Sequence, residues 1–358
     1  MAYTSKKIGN NVINNRYSNF ELLRILAMLL IILSHLSGHG IRTNVQLLND
    51  TLFHQINNLI LILSGFSGKI GVNIFLLISG YFLINKNFNF KNFFKIFIMT
   101  LFYSYTFLLM SIIVGSHDVK PILIIRSLFP IGGSAYWFIT TYLVLYIFIN
   151  YINSFLKHLS QDSYKKFILI CFTLWSLIPT LTIKANYGFS NLTWFIFVYS
   201  VGAYFKIYNI KFKFVNCLYL LFSIITIQLT IIYIFLLYVS INIPSYFFNI
   251  NNIYQFIMAV AIFNIFGNLE LNHNILINKI ASSVFAVYLI HDNMFLRPYL
   301  WHNILHIENI LYLNNYLLIT VITVVSIFCL CILADKICIQ IYTPIINLLV
   351  NFTQKYTK

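Results

Sequence analysis

The chain has 358 residues, of which 60% are hydrophobic and 9% charged, and its mean hydropathy is +0.83. Soluble domains carry roughly 25% charged residues, so this composition excludes an ordinary soluble enzyme and predicts an all-α polytopic membrane protein. A net charge of +15 would suggest nucleic acid in a soluble chain. Here the basic residues lie between apolar stretches, where they report topology, and no nucleic-acid partner is expected.

Residues 1–18 form a polar, Asn-rich tail with Lys6, Lys7 and Arg16. No small-residue cleavage site follows the first apolar run, so the first helix is expected to stay as an anchor. A spanning helix needs about 20 apolar residues. Ten stretches approach that length, at about 19–37, 69–85, 93–115, 135–156, 165–183, 190–206, 214–241, 252–268, 280–298 and 315–334. A bundle of about ten transmembrane helices follows, with both termini on one side.

With the amino terminus inside, sixteen of the 23 Lys and Arg residues fall on the inner side. Six fall on the outer side or at outer helix ends (Arg42, Lys69, Lys120, Arg126, Lys184 and Arg297), and Arg24 lies within the first helix. That asymmetry predicts cytoplasmic termini. Residues 56–65 are apolar but too short to cross, and are expected to be an interfacial or re-entrant piece before a second helix that starts near Lys69.

The 337–350 stretch follows Asp335-Lys336, is interrupted by Pro344, and either continues the last helix or lies along the inner surface as an interfacial helix before a cytoplasmic tail to 358. Asp335-Lys336 reads as a boundary ion pair. No repeat divides the chain, which reads as one integral-membrane domain over 1–358. The five cysteines lie in or beside apolar stretches without paired spacing, and read as lipid-facing or core residues.

Ionisable residues inside spanning helices are expensive and are functional candidates by default. Arg24 and His35 are eleven residues apart, which on a helix is about 16 Å and just over three turns. They project to nearly one face at different depths. Glu21, three residues before Arg24, can pair with it across one turn. Two readings stay open: a snorkelling anchor with an interfacial histidine, or two residues lining one channel.

The second helix carries Asn73, Ser79 and Gly80 in an apolar span, which serve either close helix packing or substrate binding. It is followed by Lys86, Lys91 and Lys95, either a topology signal or a phosphate-receiving patch. Three consecutive polar residues, His291, Asp292 and Asn293, would occupy all sides of a helix, and Arg297 follows them. His291 falls about eleven residues in from the inner side, so the two imidazoles are expected at similar depth. The segment from Pro130 through Tyr136 and Trp137 mixes glycines with aromatics, as a sugar-stacking loop or an interfacial belt. His35 and His39 have ligand-like spacing but no assigned third ligand, so no metal is expected.

These residues resemble the membrane-integral acyltransferase 3 family, which includes bacterial O-acetyltransferases of surface polysaccharides. The likeness rests on Phe20-Glu-Leu-Leu-Arg24 with His35 at the Arg-x10-His spacing and on Gly71-Val-Asn-Ile-Phe-Leu-Leu-Ile-Ser-Gly-Tyr-Phe-Leu with its basic follow-on. Tyr136-Trp-Phe and Val287-Tyr-Leu-Ile-His291 complete it. The resemblance implies ten spanning helices, acetyl-coenzyme A as cytoplasmic donor, an acceptor hydroxyl on a glycan or lipid-linked sugar, and essential roles for Arg24 and His35. Some members carry Arg-x-Arg after the second helix, where this chain has lysines.

On this reading the protein is a multi-pass enzyme of the bacterial cytoplasmic membrane. His35 is expected as general base or transient acyl carrier, with Glu21, Arg24 and His291 beside it in the catalytic set. Arg24, with Lys91 or Lys95, is expected to hold coenzyme A phosphates. Asn73, Ser79, Tyr136, Trp137, Asp292 and Arg297 are the candidate acceptor-binding residues. The rival readings are a transporter or flippase of a polysaccharide precursor, with the histidines as proton relays, and a glycan polymerase.

Overall fold

The computed structural model describes residues 3–8, 11–41, 52–115, 120–133, 135–182, 189–238, 245–307 and 315–356. Arg42, Lys184 and Lys358 of the charge count, and Ser134 of the glycine and aromatic segment, lie outside the described residues. The polar amino-terminal tail is a two-stranded antiparallel hairpin, β1 (Tyr3–Ile8) and β2 (Asn11–Arg16), with Tyr3 opposite Arg16 and Ile8 opposite Asn11. The other elements are helical.

Helix α1 (Ser18–His35) runs directly into a wide π-type turn over Leu36–Ile41, and antiparallel α2 (Leu52–Leu83) packs along it. Then come α3 (Phe90–Ile113), the short α4 (Pro121–Leu128), α5 (Trp137–Ile147) and α6 (Ile149–His158). Helix α7 (Gln161–Phe172) passes through another π-type turn into α8 (Ile178–Thr182), followed by α9 (Asn191–Ile207), α10 (Phe214–Tyr238) and α11 (Ile253–Gly267). The chain closes with α12 (Ile275–Ala281), α13 (Val284–His291), α14 (Leu296–Pro298) with its π-type continuation, and α15 (Tyr316–Tyr356).

Each of the ten apolar stretches is mainly helical among its described residues, with a break at 292–295 in the ninth. Among the described residues, six helices are long and apolar enough to cross a bilayer, and two bent pairs raise the number to eight. The pairs are α5 with α6, bent by 62°, and Ile275–His291 with Leu296–Ile304, bent by 89°. The stretches at 190–206 and 252–268 are α9 and α11, of 17 and 15 residues, shorter than the roughly 20 a straight crossing needs.

Two expectations change, and a choice left open for 337–350 is decided. Residues 56–65 do not form a separate re-entrant piece: they belong to the continuous α2, and Lys69 sits inside that helix rather than at its start. A side chain pointing into protein carries no lipid-exposure cost, so this cation marks no helix end. The 337–350 stretch continues α15 straight through Pro344, whose ring removes one intrahelical bond without ending the helix.

Asp335 and Lys336 do not form an ion pair. Asp335 is 1% exposed while Leu330 and Leu333 on the same helix are 65% and 61% exposed to the lipid side. Its Oδ1 accepts from the hydroxyls of Tyr103 and Tyr342, each at 2.8 Å. The Lys336 ammonium turns to the Lys279 carbonyl and Ser282 Oγ, each at 3.3 Å. Two tyrosine donors satisfy a buried carboxylate that a flexible, readily hydrated ammonium would have to desolvate to reach.

Small residues and side-chain to backbone bonds hold the helices together, as expected where lipid removes the hydrophobic drive between spans. A Cβ on Gly71 would strike the Ala27 carbonyl, and one on Gly80 the Tyr199 carbonyl, so α1 and α9 lie backbone-close on either side of α2. Ser34 Oγ donates to the Gly65 carbonyl at 2.8 Å and Ser67 Oγ to the Leu30 carbonyl at 2.7 Å. Asn153 ties the end of α2 to α6 and α9: its amide donates to the Leu83 and Lys86 carbonyls, each at 2.9 Å, and its Oδ1 accepts from Tyr199 at 2.7 Å. The Asn-rich composition also supplies helix caps, with Asn89, Asn252 and Asn274 accepting from the first turns of α3, α11 and α12.

Candidate active site

One cavity of about 780 Å³ is bordered by residues of α1, α2, α3, α4, α5, α12 and α13 and of the turn after α13. Glu21, Arg24 and Lys95 border one end; His39, Arg126 and Arg297 border the other, with His35 between. The near-common face of Arg24 and His35 on α1 makes this possible, because both border the same space about 16 Å of helix apart.

At the Arg24 end, Nη1 donates to Glu21 Oε1 at 2.7 Å, and Glu21 is 1% exposed. The carboxylate fixes the guanidinium across one helical turn and leaves its other N–H groups toward the cavity. Outside the spans, at the turn after α2, desolvation first and the Arg24 charge second hold the Lys86 amine below its ordinary value. A locally positive potential at this mouth suits phosphate oxygens.

The wall between the two ends is aromatic. Phe138, Tyr142 and Tyr146 recur every four residues on α5 and all border the cavity. Phe138 and Tyr142 stack at 5.9 Å between ring centroids, and Tyr142 and Tyr146 at 6.5 Å. The Ser79 hydroxyl faces this ladder, donating to its own Phe75 carbonyl at 2.8 Å with the Tyr142 hydroxyl 3.4 Å away.

At the level of His35 two imidazoles meet. His35 Nδ1 lies 2.9 Å from His291 Nε2, and His291 Nδ1 lies 2.6 Å from the Val287 carbonyl. A carbonyl only accepts, so the His291 Nδ1 carries hydrogen. With both rings neutral, His291 Nε2 is then an acceptor and His35 donates from Nδ1. This leaves His35 Nε2 with a free lone pair. His35 borders the cavity, whereas His291 is fully buried behind it.

The helix carrying His291 ends there, which alters the expectation of three polar residues around one helix. Asp292 and Asn293 lie in the turn that follows α13. Ending the helix lets Asn293 Oδ1 accept from the Phe295 amide at 2.9 Å while its Nδ2 donates to the Tyr136 hydroxyl at 2.7 Å. Tyr136 in turn donates to the Leu289 carbonyl at 3.0 Å. Asp292 is thereby held with Oδ1 3.6 Å from His35 Nδ1, 3.8 Å from His39 Nε2 and 3.3 Å from Arg297 Nη1.

His35, His39 and Asp292 offer ligand atoms within 4.8 Å of one another, which supplies the third ligand that sequence spacing lacked. The Arg297 guanidinium, however, stands 3.3 Å from Asp292 Oδ1 and 3.5 Å from His39 Nε2. A fixed cation among the donors repels a second one. The cluster suits proton transfer and ion pairing.

The cavity therefore gathers Glu21, Arg24, His35, Ser79, Lys95, Trp137, Asp292 and Arg297. Four other candidates stand off it. Lys91 is exposed near the start of α3. Asn73 is fully buried, accepting from Trp194 Nε1 at 2.9 Å and donating to the Ile250 carbonyl at 3.1 Å, so both ends of its amide are engaged in helix packing. Tyr136 and His291 lie behind the wall and position it. Sequence reasoning gave no site role to Lys69 or Arg126, and weighed His39 only as a metal ligand; all three border the cavity. For Lys69 the signal was present, as a cation in an apolar run, but it was read as a helix boundary.

The family model described as an acyltransferase domain matches residues 17–336. No curated protein and no solved structure matches the chain significantly. The matched span begins just before α1 and ends at Lys336 on α15, so it includes every helix that borders the cavity. With its multiple apolar spans and a cavity that holds Arg24 and His35 together, this chain belongs to the acyltransferase 3 family and is a membrane acyltransferase.

Proposed function

We propose that the protein moves an acetyl group from cytoplasmic acetyl-coenzyme A to a sugar hydroxyl of a cell-surface or lipid-linked polysaccharide, in the cytoplasmic membrane of a bacterium. The observation that carries this reading is one cavity joining the Arg24 mouth to His35 and the outer cluster. Ten crossings with both termini cytoplasmic put the Arg24 mouth inside. Arg24 and Lys95 then meet the coenzyme A phosphates, and the acyl arm lies along the Phe138, Tyr142 and Tyr146 ladder.

In the reaction, His35 Nε2 takes the proton of the acceptor hydroxyl while its oxygen attacks the thioester carbonyl. The tetrahedral oxyanion collapses, the carbon–sulfur bond breaks, and the coenzyme A thiolate leaves with the proton from His35. The products are an O-acetyl ester and free coenzyme A. Asp292, 3.6 Å from His35 Nδ1, stabilises the imidazolium that forms, and Arg297 holds Asp292. His291 fixes the tautomer of His35. Because donor and acceptor reach His35 from the two ends of one cavity, the transfer is direct.

The test supplies the purified protein in membranes with labelled acetyl-coenzyme A and an extract of surface glycans. Label is expected in the glycan, and a folded wild-type protein that transfers none would sink the enzyme reading. His35→Ala is expected to lower transfer by about 10²- to 10⁴-fold, the usual contribution of a general base. Without acceptor, protein denatured rapidly at neutral pH is expected to carry no label. Stoichiometric label on His35 would replace direct transfer by an acyl-histidine route.

A further inference from the structure

Lys69, Arg126 and Arg297 border the outer part of the same cavity. Three cations on the side that the charge count assigns to the exterior run against the positive-inside distribution. Lys69 and Arg297 are half-buried and Arg126 is exposed at the rim; cations that border a cavity within a membrane bundle are functional candidates by default.

Lys69 lies on α2 beside Gly68, where a Cβ would come 2.6 Å from Ser34 Cβ on α1, so its backbone stands at nearly the depth of His35. Its ammonium sits over the Trp137 ring, 5.0 Å from the centroid, within cation–π range. Headgroup anchoring does not fit a residue between buried Gly68 and Ile70 whose side chain borders a cavity.

Arg126 borders the cavity from α4. That helix is held in place by Ser104 Oγ, donating to the Ser127 carbonyl at 2.9 Å, and by Ser127 Oγ, 3.6 Å from Met294 Sδ. Among the described residues, neither Lys69 nor Arg126 has a carboxylate within 4.0 Å. Arg297 has Asp292, but that carboxylate is already shared with His35 and His39. The described side chains leave this compartment positive beside the reactive imidazole.

We propose that this outer compartment is an anion subsite for the acceptor. Lys69 and Arg126 bind a phosphate or carboxylate of the acceptor while a neighbouring sugar hydroxyl reaches His35 Nε2. The inference rests on the acyl-transfer reading and narrows its acceptor to an acidic one: a glycan carrying its own anionic group, or a sugar joined to lipid through a diphosphate. The guanidinium fork of Arg126 matches paired oxygens, and the Lys69 ammonium acts as a point charge.

Binding is tested without turnover, so that it stands apart from the fate of the acyl-transfer reading. Inorganic pyrophosphate is titrated into purified protein saturated with coenzyme A, which fills the Arg24 mouth, and thermal unfolding is followed. Wild type is expected to be stabilised. A Lys69→Gln, Arg126→Gln double variant is expected to need at least about tenfold more pyrophosphate, the scale of one lost charged hydrogen bond. Retained stabilisation by coenzyme A reports that the variant is folded, and the milder Arg126→Lys is expected to fall between the two. No pyrophosphate effect on wild type, or an equal effect on the double variant, overturns the subsite.

The source of the anion is read by transfer to three acceptors: a uronate-containing oligosaccharide, a lipid-diphosphate-linked neutral sugar, and a free neutral oligosaccharide. The anionic acceptor whose kcat/KM falls about tenfold in Arg126→Gln is the one held there. Equal use of the neutral oligosaccharide by wild type, unchanged by that substitution, overturns the acidic acceptor.

Discussion

Arg24 and His35 show what one helix can specify alone. Their eleven-residue separation fixes a shared face whatever the rest of the bundle does, and Glu21 adds a partner from the same helix at 2.7 Å. Arg24→Ala is expected to act on the donor: KM for acetyl-coenzyme A rises about tenfold or more, the scale of a lost charged hydrogen bond, and kcat changes less. A fall in kcat alone, at unchanged donor KM, would place Arg24 in the chemical step instead. Lys69 shows the opposite case. The rule that treats a cation as the end of an apolar run holds for a lipid-facing side chain and fails for one that faces an internal cavity. No local pattern separates the two, because α2 is apolar on most of its surface. Asn73 shows a related ambiguity: an amide in a span is equally suited to a ligand and to the Trp194 indole that it accepts from.

At the scale of elements, close approach and helix breaks decide where these side chains go. Gly80 lets α2 lie against the α9 backbone, which keeps Ser79, its neighbour in sequence, beside the aromatic ladder of α5. Gly80→Ala is expected to cost about 1–3 kcal/mol by overpacking, because the atom in the way is a backbone carbonyl that no rotamer change can move. The measurement is thermal unfolding of the purified variant in detergent; an unchanged midpoint would show that α9 can retreat from α2 without loss. The break after His291 is the second device. A helix continued through Asp292 and Asn293 would spread three polar side chains around its circumference. Ending at His291 lets Asp292 stand close to both His35 and His39. A three-residue polar run announces such a place in the sequence, but which residue closes the helix depends on partners such as Tyr136, distant in sequence.

Among the described residues the chain from Ser18 onward is a helical bundle with apolar side chains exposed on its spans, and its buried polar side chains turn to one another or to the cavity. The proposed topology of ten crossings with cytoplasmic termini predicts alternating sides for the loops. In a variant lacking the five native cysteines, Ser160→Cys and Asn272→Cys are expected to react with an impermeant thiol reagent only after permeabilisation, and Gly132→Cys in intact cells. Labelling in the reverse pattern would invert the orientation and with it the assignment of the Arg24 mouth to the cytoplasm.

The sequence alone determined that the chain is a polytopic helical membrane protein, because apolar length and charge placement are properties of segments. It also determined the Arg24 and His35 pair, because both lie on one helix, and the family, because the motifs are local strings in a fixed order. The tertiary structure decided what depends on contact between segments. It set His291 at 2.9 Å from His35, turned Asp335 from a boundary ion pair into a buried acceptor of two tyrosines, and drew Lys69 and Arg126 to the cavity. Each of these joins residues far apart in the chain, and the hydropathy of one segment carries no information about which face of another it will meet.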